Sequence, residues 1–325
     1  MKTIKYILLG FMVMFALYGC EYEIDYKGEL PKDKLVVASF IEADSVISFS
    51  LYKSAKPGTY NSGSIGFEKA SNIQKDLSSA YVTDAKAELY IDGILKQTLL
   101  QASNNNKYTF TAIPRDNQKV EIKLNYKDYA QAIGKANLNL PMPDIDSSNV
   151  ILQSGTDEYG NTYYRLVVYL EIKDNGNEEN YYQIEPNIYY ATNYDERKID
   201  LRDSELLWEN IQGVFQENSS TFESNINRFG VISNKKFRAG VYKVKFALNI
   251  YEYTFFEEKA NGRIYGDIKM SSIEKQAYNY LFTLNRYYNS SYMNEPVIIL
   301  DGIENAYGFI GGKKTKKVKN VNLVF

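Results

Sequence analysis

Apolar and polar residues alternate with period two along most of the chain, and a helical period shows once, near the C-terminal end. Leu35–Ile41 is an apolar run that reads as a buried strand. Ile47-Ser48-Phe49-Ser50-Leu51 alternates as a half-buried strand does. Further strands are expected at Ala85–Ile91, Ile94–Leu100, Tyr108–Ala112, Val120–Tyr126 and Ala130–Leu138. Asp92-Gly93 separates two of them and is a strong hairpin signal, since a type I′ turn needs positive φ at both central residues. Between Lys56 and Ser79 the chain is rich in Gly, Ser and Asn and reads as a long loop.

Short strands at this spacing predict a sandwich, and those between residues 34 and 140 resemble an immunoglobulin-like module. Leu140-Pro141-Met142-Pro143-Asp144 interrupts the pattern, because two prolines in three residues cannot continue a ladder. A domain boundary is expected there. Beyond it come a polar turn, Ser154–Asn161, a strand at Tyr163–Lys173, a turn at Asp174–Asn177 and a strand at Tyr181–Tyr190. The last contains Pro186 and should take an edge or bulge position. Thr192–Asn234 is polar and weakly periodic, and Phe237–Phe256 reads as two strands bent near Asn249. Ile273, Ala277, Leu281, Leu284 and Tyr288 recur at helical spacing and predict one helix near 272–288, with Ser271 and Glu274 forming a capping box. Closing strands are expected at Pro296–Leu300, Tyr307–Ile310 and Val321–Phe325. Lys313, Lys314, Lys316 and Lys317 read as guards of an exposed edge, with acidic lipopolysaccharide or a receptor rim as the other reading. The expected fold is mainly β: a sandwich over 34–140 and a β-rich domain over 141–325 carrying one tyrosine-rich helix.

The N-terminal segment has a different character. Lys2 and Lys5 precede an uncharged run from Tyr6 to Leu17, and Leu17-Tyr18-Gly19-Cys20 follows. That run is too short to cross a bilayer core of about 30 Å. The order is that of a signal peptide over 1–19, cleaved between Gly19 and Cys20. Leu-Tyr-Gly-Cys resembles the bacterial lipoprotein signal, with Cys20 as the acylated residue. Each buried CH₂ contributes about 0.8 kcal/mol, so two or three chains give lasting attachment. Residues 20–33 then form a tether whose start, with Glu21, Glu23 and Asp25, resembles a surface-export signal.

Composition narrows the chemistry. The chain has no histidine and only one cysteine, which removes Ser-His-Asp and Cys-His catalysis, histidine- and thiolate-ligated metals and intrachain disulfides. Without Lys2 and Lys5 the 38 basic residues become 36 against 40 acidic ones, a net charge of −4 that does not favour nucleic acid. No cofactor is expected. Carboxylate-based hydrolysis needs no histidine, and Asp200, Asp203, Glu205, Glu257 and Glu258 are the acidic clusters from which it would draw. Asp174, Asn175 and Asn177 can be read as a calcium loop or as a plain turn. Tyrosine is abundant, with 30 residues against one tryptophan. It serves strands and binding surfaces alike, so Tyr278, Tyr280, Tyr287, Tyr292 and Trp208 are the candidate contact residues for a partner or ligand.

Several segments, taken in order, resemble one family. They are Cys20 followed by Glu23-Ile24-Asp25, Lys34-Leu35-Val36-Val37, Ala85–Gly93, Pro141–Asp146, Glu179-Asn180-Tyr181-Tyr182, the tyrosine-rich helix, Asn294-Glu295-Pro296-Val297 and Ile303–Gly312. The family is the Bacteroidota outer-membrane lipoprotein group known as domain of unknown function 4249. Asn305-Ala306 departs from its Asn-Gly. The resemblance implies a lipid-anchored protein of the outer membrane, facing the cell exterior. It further implies a non-enzymatic accessory of a TonB-dependent receptor, working in nutrient capture or uptake. A structural or assembly subunit of a surface complex is the alternative.

Overall fold

The computed structural model describes residues 33–54, 81–103, 105–156, 160, 162–174, 177–191, 196–198, 206–208, 229–234, 240–250, 263–289 and 298–324. The signal peptide, Cys20 and the tether to Lys32 lie outside the described residues, as does the 56–79 loop.

Eight strands make the N-terminal half: β1 (Leu35–Glu42), β2 (Ile47–Phe49), β3 (Tyr52–Lys53), β4 (Lys86–Ile91), β5 (Ile94–Leu99), β6 (Tyr108–Phe110), β7 (Lys119–Asn125) and β8 (Ala132–Asn137). An antiparallel sheet in the order β5-β4-β7-β8 faces β1, which pairs with β3, and the antiparallel β2-β6 pair. Side chains alternate across a strand, so Ala87, Leu89 and Ile91 of β4 and Val120, Ile122 and Leu124 of β7 all point inward. They meet Leu35, Val37, Ile41, Phe49 and Phe110 in one core. Asp92 and Gly93 turn the β4–β5 hairpin with φ of 51° and 78°, the signs a type I′ turn requires.

The C-terminal half contains β9 (Asp144–Thr156), β10 (Thr162–Asp174), β11 (Tyr181–Ala191), β12 (Glu196–Lys198), β13 (Leu206–Trp208), β14 (Val231–Ser233), β15 (Gly240–Ile250), β16 (Arg263–Ile273), helix α1 (Lys275–Asn289) and β17 (Ala306–Val324). One sheet has the order β13-β15-β10-β9, and a larger one runs β12-β11-β16-β17-β1-β3 with β14 also on β11. Leu166, Val168, Leu170 and Ile172 of β10 pack between these sheets against Ile184, Ile188, Ile264, Ile268 and Met270. α1 covers the other face of the large sheet, burying Ala277 and Leu281 with Tyr181, Ile273 and Phe309.

β17 joins the halves. Residues 306–313 run parallel to β1 and lend Ala306 and Ile310 to the N-terminal core. Residues 313–324 run antiparallel to β16 and lend Val321 to the second core. Ile310 lies so close to β8 that a Cβ on Gly134 would stand 2.6 Å from its Cβ. The expected boundary at 140/141 therefore falls inside one compact unit, Asp33–Phe325.

Several expectations need correction. The polar segment after Pro143 is a 13-residue strand, β9, and Ser154–Thr156 belong to it. Its Asp146 has no partner in the β10 register, a one-residue bulge. Ile145 and Val150 therefore face one core although five positions separate them, and the period of two is hidden. β16 was absent from the expected strands, because Gly266 breaks its alternation. Gly266 sits at φ 141°, where a Cβ would meet the Asn187 carbonyl oxygen at 2.0 Å. Ser271 and Ser272 are buried strand residues of β16, not the start of a helix. β15 pairs with β10 without a break from Gly240 to Ile250, the expected second strand over 251–256 lies outside the described residues, and residues 298–300 form no strand.

Pro186 does lie in the large sheet beside β16, and on its other side no strand pairs with it among the described residues. Ile184 donates its N–H to Gly230 O at 2.9 Å, on the side away from β16. Two residues on, Pro186 faces that same side, in the stretch between the partners of β14 (181–183) and β12 (189–191). The C-terminal lysines lie in the half of β17 that pairs with β16 on one side and, among the described residues, with no strand on the side that β1 leaves at Lys313, as the edge reading expects. Lys314 lies 2.7 Å from Asp116, Lys317 lies 3.1 Å from Asp267, and Lys313 pairs with Glu185.

Candidate functional site

At the end of β16 the chain passes from strand to helix through Glu274. The Glu274 carbonyl accepts the first helical bond, from Tyr278 N–H at 3.0 Å, so Glu274 is itself the N-cap. Its N–H donates to Gly312 O at 3.2 Å, and its carboxylate accepts Gly312 N–H at 2.6 Å. The backbone of Asn137, in β8, also bonds that carboxylate. Gln276 Nε2 donates to Lys135 O at 2.6 Å and to Ile310 O at 3.1 Å. Glu274 and Gln276 thus continue beside the first half of β17 the bonding that β16 makes beside the second. Burial pushes the Glu274 carboxyl above the usual carboxylate range, opposed by the two backbone N–H groups. The capping box expected of Ser271 and Glu274 is replaced by this three-way junction.

A cleft of about 280 Å³ opens beside the junction. Leu140 and Pro141 line it together with Glu179, Tyr181, Ser272 and Lys275. Lys275 Nζ stands 3.3 Å from Glu179, and Tyr181 Oη donates to the same carboxylate. Burial, helped by that bond, raises the Tyr181 phenol well above its ordinary range. Ser272 Oγ is buried and has no hydrogen-bond partner among the described residues. Both carboxylates of the cleft are engaged, Glu179 by an ammonium and a phenol and Glu274 by backbone N–H groups. The arrangement suits holding a polar group by hydrogen bonds better than moving protons between opposed carboxylates.

Asp174, the first residue of the expected turn, is the centre of a carboxylate clamp. Asp174 is buried and accepts from Tyr182 Oη at 2.7 Å, from Asn234 Nδ2 at 3.0 Å and from Asn180 Nδ2 at 3.3 Å. These donors hold the β10–β11 connection to the end of β14. Asn175 lies outside the described residues. Among the described residues no cluster of three or more acidic side chains is close enough to hold a metal ion.

A second polar group crosses the large sheet next to α1. Lys313, with its side chain only 10 % exposed, pairs with Glu185 and donates to Gln183 at 3.2 Å. It also lies 4.8 Å over the Phe40 ring. Ser271 Oγ and Thr315 Oγ1 are 3.0 Å apart, and Thr315 donates to Glu42. Sequence reasoning missed this set. Its members come from β1, β11, β16 and β17, and only the strand register brings them together.

Of the candidate contact residues, Tyr278 stacks on Tyr181 and Phe282, with ring centroids 4.7 and 5.5 Å away. Burial pushes its phenol up to about 12, with the charge of Glu179 adding to the effect. Tyr280 lies against Phe309 at 5.3 Å. Both are packing residues of the helix. Tyr287 is 53 % exposed. Trp208 lies in β13, where its backbone pairs with Phe246. Tyr292, Gly19 and Cys20 lie outside the described residues, as do Asp200, Asp203, Glu205, Glu257 and Glu258.

Two sandwiches sharing one long strand, with a clefted polar junction between them, define a mainly β protein with one covering helix. The chain belongs to the family described as a domain of unknown function, DUF4249, whose model matches residues 20–319. No curated protein matches it. Among solved structures, a Corynebacterium diphtheriae protein provisionally described as membrane anchored is similar at 10 % identity and a TM-score of 0.22. That match covers 76 % of this chain and 55 % of the other. A β-glucuronidase of glycoside hydrolase family 2 is similar at 9 % identity and the same score, over 86 % of this chain and 22 % of its own. Likenesses at that score say nothing about what this chain does. No helix among the described residues is long and apolar enough to cross a membrane.

Proposed function

We infer that the chain is a surface lipoprotein, held in the outer membrane by acyl chains on Cys20. In this reading it works by binding, as an accessory of a TonB-dependent receptor in nutrient capture. The observation that carries the reading is Cys20 itself. It is the sole thiol, it ends the apolar leader, and it is the first residue of the family match. Two features support a binding role. The compact body starts at Asp33, 13 residues after Cys20, and this reading takes the residues between as its tether. The carboxylates of its junction cleft are already committed to internal partners.

The test is made in the native host. Cells fed an alkyne-bearing palmitate should label the wild-type protein and not Cys20→Ala, which should leave the outer-membrane fraction. Mild detergent extraction of the wild type should bring a β-barrel receptor with it. An unlabelled wild type, or a Cys20→Ala chain that stays in the membrane, would overturn the anchor. A labelled protein without a barrel partner would overturn the receptor role alone.

A further inference from the structure

Both ends of the N-terminal sandwich expose apolar side chains. At one end the chain enters β1. There Lys34 Nζ lies 4.7 Å over the Tyr307 ring, and Asp301 accepts Gly308 N–H at 2.9 Å. Leu300 donates its N–H to Thr283 Oγ1 at 3.0 Å. Residues 300–301 are thereby held between the start of β1 and the last turns of α1. Ile298 is 78 % exposed, Leu300 47 %, and Tyr287, one helical turn past Thr283, 53 %. Leu100, which follows β5 and is 70 % exposed, belongs to this end too. The register shows it: Leu99 pairs with Ala87, Ala87 with Leu124, Leu124 with Ala132, and the neighbouring Ile133 bridges Glu304. At the opposite end stand Val46, Ile94 and Ile113, exposed by 55, 60 and 47 %.

Isolated exposed apolar residues are ordinary, so exposure does not choose between the ends. The path of the chain does. Cys20 is joined to Asp33 at the β1 entry end, and an extended chain spans about 3.5 Å per residue, so the link reaches roughly 45 Å. The opposite end lies a further eight-residue strand away, about 26 Å at 3.3 Å per residue. Turning that end to the membrane would use more than half the reach of the link in running back alongside β1. The entry end needs none of it.

We propose that the β1 entry end is a membrane-facing surface, with Ile298, Leu300, Tyr287 and Leu100 dipping into the headgroup layer of the bilayer that holds Cys20. The proposal rests on the anchor reading above. Leu and Ile gain by leaving water, and tyrosine, with an apolar ring and a wet hydroxyl, suits the interface. Arg286, exposed on the last turn of α1 beside Tyr287, can extend its guanidinium to the phosphates. Asp84 pairs with Lys127 at 3.8 Å, Glu304 pairs with Lys135 at 3.0 Å and Asp301 faces the charge of Lys34, so attachment should depend little on anionic lipid or salt. The body then lies against the membrane with its Asp92-Gly93 hairpin pointing away, rather than swinging on its link.

The experiment separates this surface from the anchor. The mature chain, with Cys20→Ser and an N-terminal hexahistidine replacing the lipid, is held on nickel-chelating vesicles of phosphatidylethanolamine. A single cysteine is then introduced as Ile298→Cys, Leu100→Cys, Ile94→Cys or Ile113→Cys and labelled with a polarity-sensitive nitrobenzoxadiazole dye. Near-end labels should brighten by about twofold or more, shift to the blue and be quenched by nitroxide lipid, as for side chains lying in the interface. Far-end labels should do none of these. Equal responses at both ends, none at either, or a response confined to positions 94 and 113 would overturn the proposal. The mass of the native protein reports acylation separately. An unacylated native chain with near-end insertion removes the anchor alone, and an acylated one without insertion removes the surface alone.

Discussion

Among the described residues between Leu35 and Leu138, the buried side chains are apolar apart from Ser39. The phenol oxygen of Tyr108, fully buried there, accepts from Ala85 N–H at 2.8 Å. Between Asp174 and Asn285 the buried set includes Asp174, Gln183, Asn234, Ser271, Ser272, Thr283 and Asn285. The first sandwich is held mainly by transfer of apolar surface, which is non-directional and tolerates small shifts. The second body adds polar networks that stabilise only when every member is paired. A substitution in the first should act through the cavity it leaves, and one in the second through the partners it strands.

The largest effect tests whether the two bodies are thermodynamically separate. Phe110→Ala should cost about 3–5 kcal/mol through the lost ring and its cavity. Trp208, the only tryptophan, lies in β13 of the C-terminal body and reports from the far side of the comparison. Because β17 supplies Ile310 to one core and Val321 to the other, tryptophan fluorescence and far-ultraviolet circular dichroism should shift together in urea. A variant in which circular dichroism loses amplitude while the Trp208 transition stays put would show two independent domains.

A smaller effect sharpens the polar side. Asp174→Ala strands the Tyr182 hydroxyl and the amides of Asn234 and Asn180, and should cost about 2–3 kcal/mol. Tyr108→Phe, its counterpart in the first sandwich, removes one acceptor and should cost about 1 kcal/mol. Urea midpoints of the two variants decide the matter. Equal costs would mean that the buried networks of the C-terminal body hold it no more than the Tyr108 bond holds the N-terminal one.

The same contrast governs what could be read from the residues. The strands of the first sandwich announce themselves because each has one wet and one dry face in unbroken alternation, and Asp92-Gly93 marks its hairpin. β9 and β16 escape the same rule, one through the bulge at Asp146 and the other through Gly266, whose missing Cβ makes room for a neighbouring backbone. The pairing of β1 with β17 was beyond reach, since nothing local to Leu35–Glu42 names a partner some 270 residues away. The helix was legible from Ala277 and Leu281, although its start was misplaced into β16. The junction was not. Glu274, Gly312 and Asn137 meet only after three elements are in place, and the Lys313–Glu185 ladder depends on register across four strands.

The smallest expected effect lies at the junction and concerns pH. Glu274 has a reference value of 4.5, and burial raises it in the folded chain. Below that reference the group is protonated in both states, and its contribution to stability is fully present. As pH rises through 4.5 the unfolded chain ionises first, so stability falls until the buried carboxyl also ionises, and above that point the curve is flat. Glu274→Gln keeps a carbonyl oxygen for the N–H groups of Gly312 and Asn137 but carries no titrating proton. Urea unfolding of both proteins from pH 4 to pH 7 should therefore show the wild type losing ground to the variant as pH rises. Because those N–H groups belong to β17 and β8, a loss seen by Trp208 would mean that the buried charge weakens the joint between the two bodies and not only the helix it caps. Parallel curves would mean that Glu274 ionises at the junction as freely as it does in water.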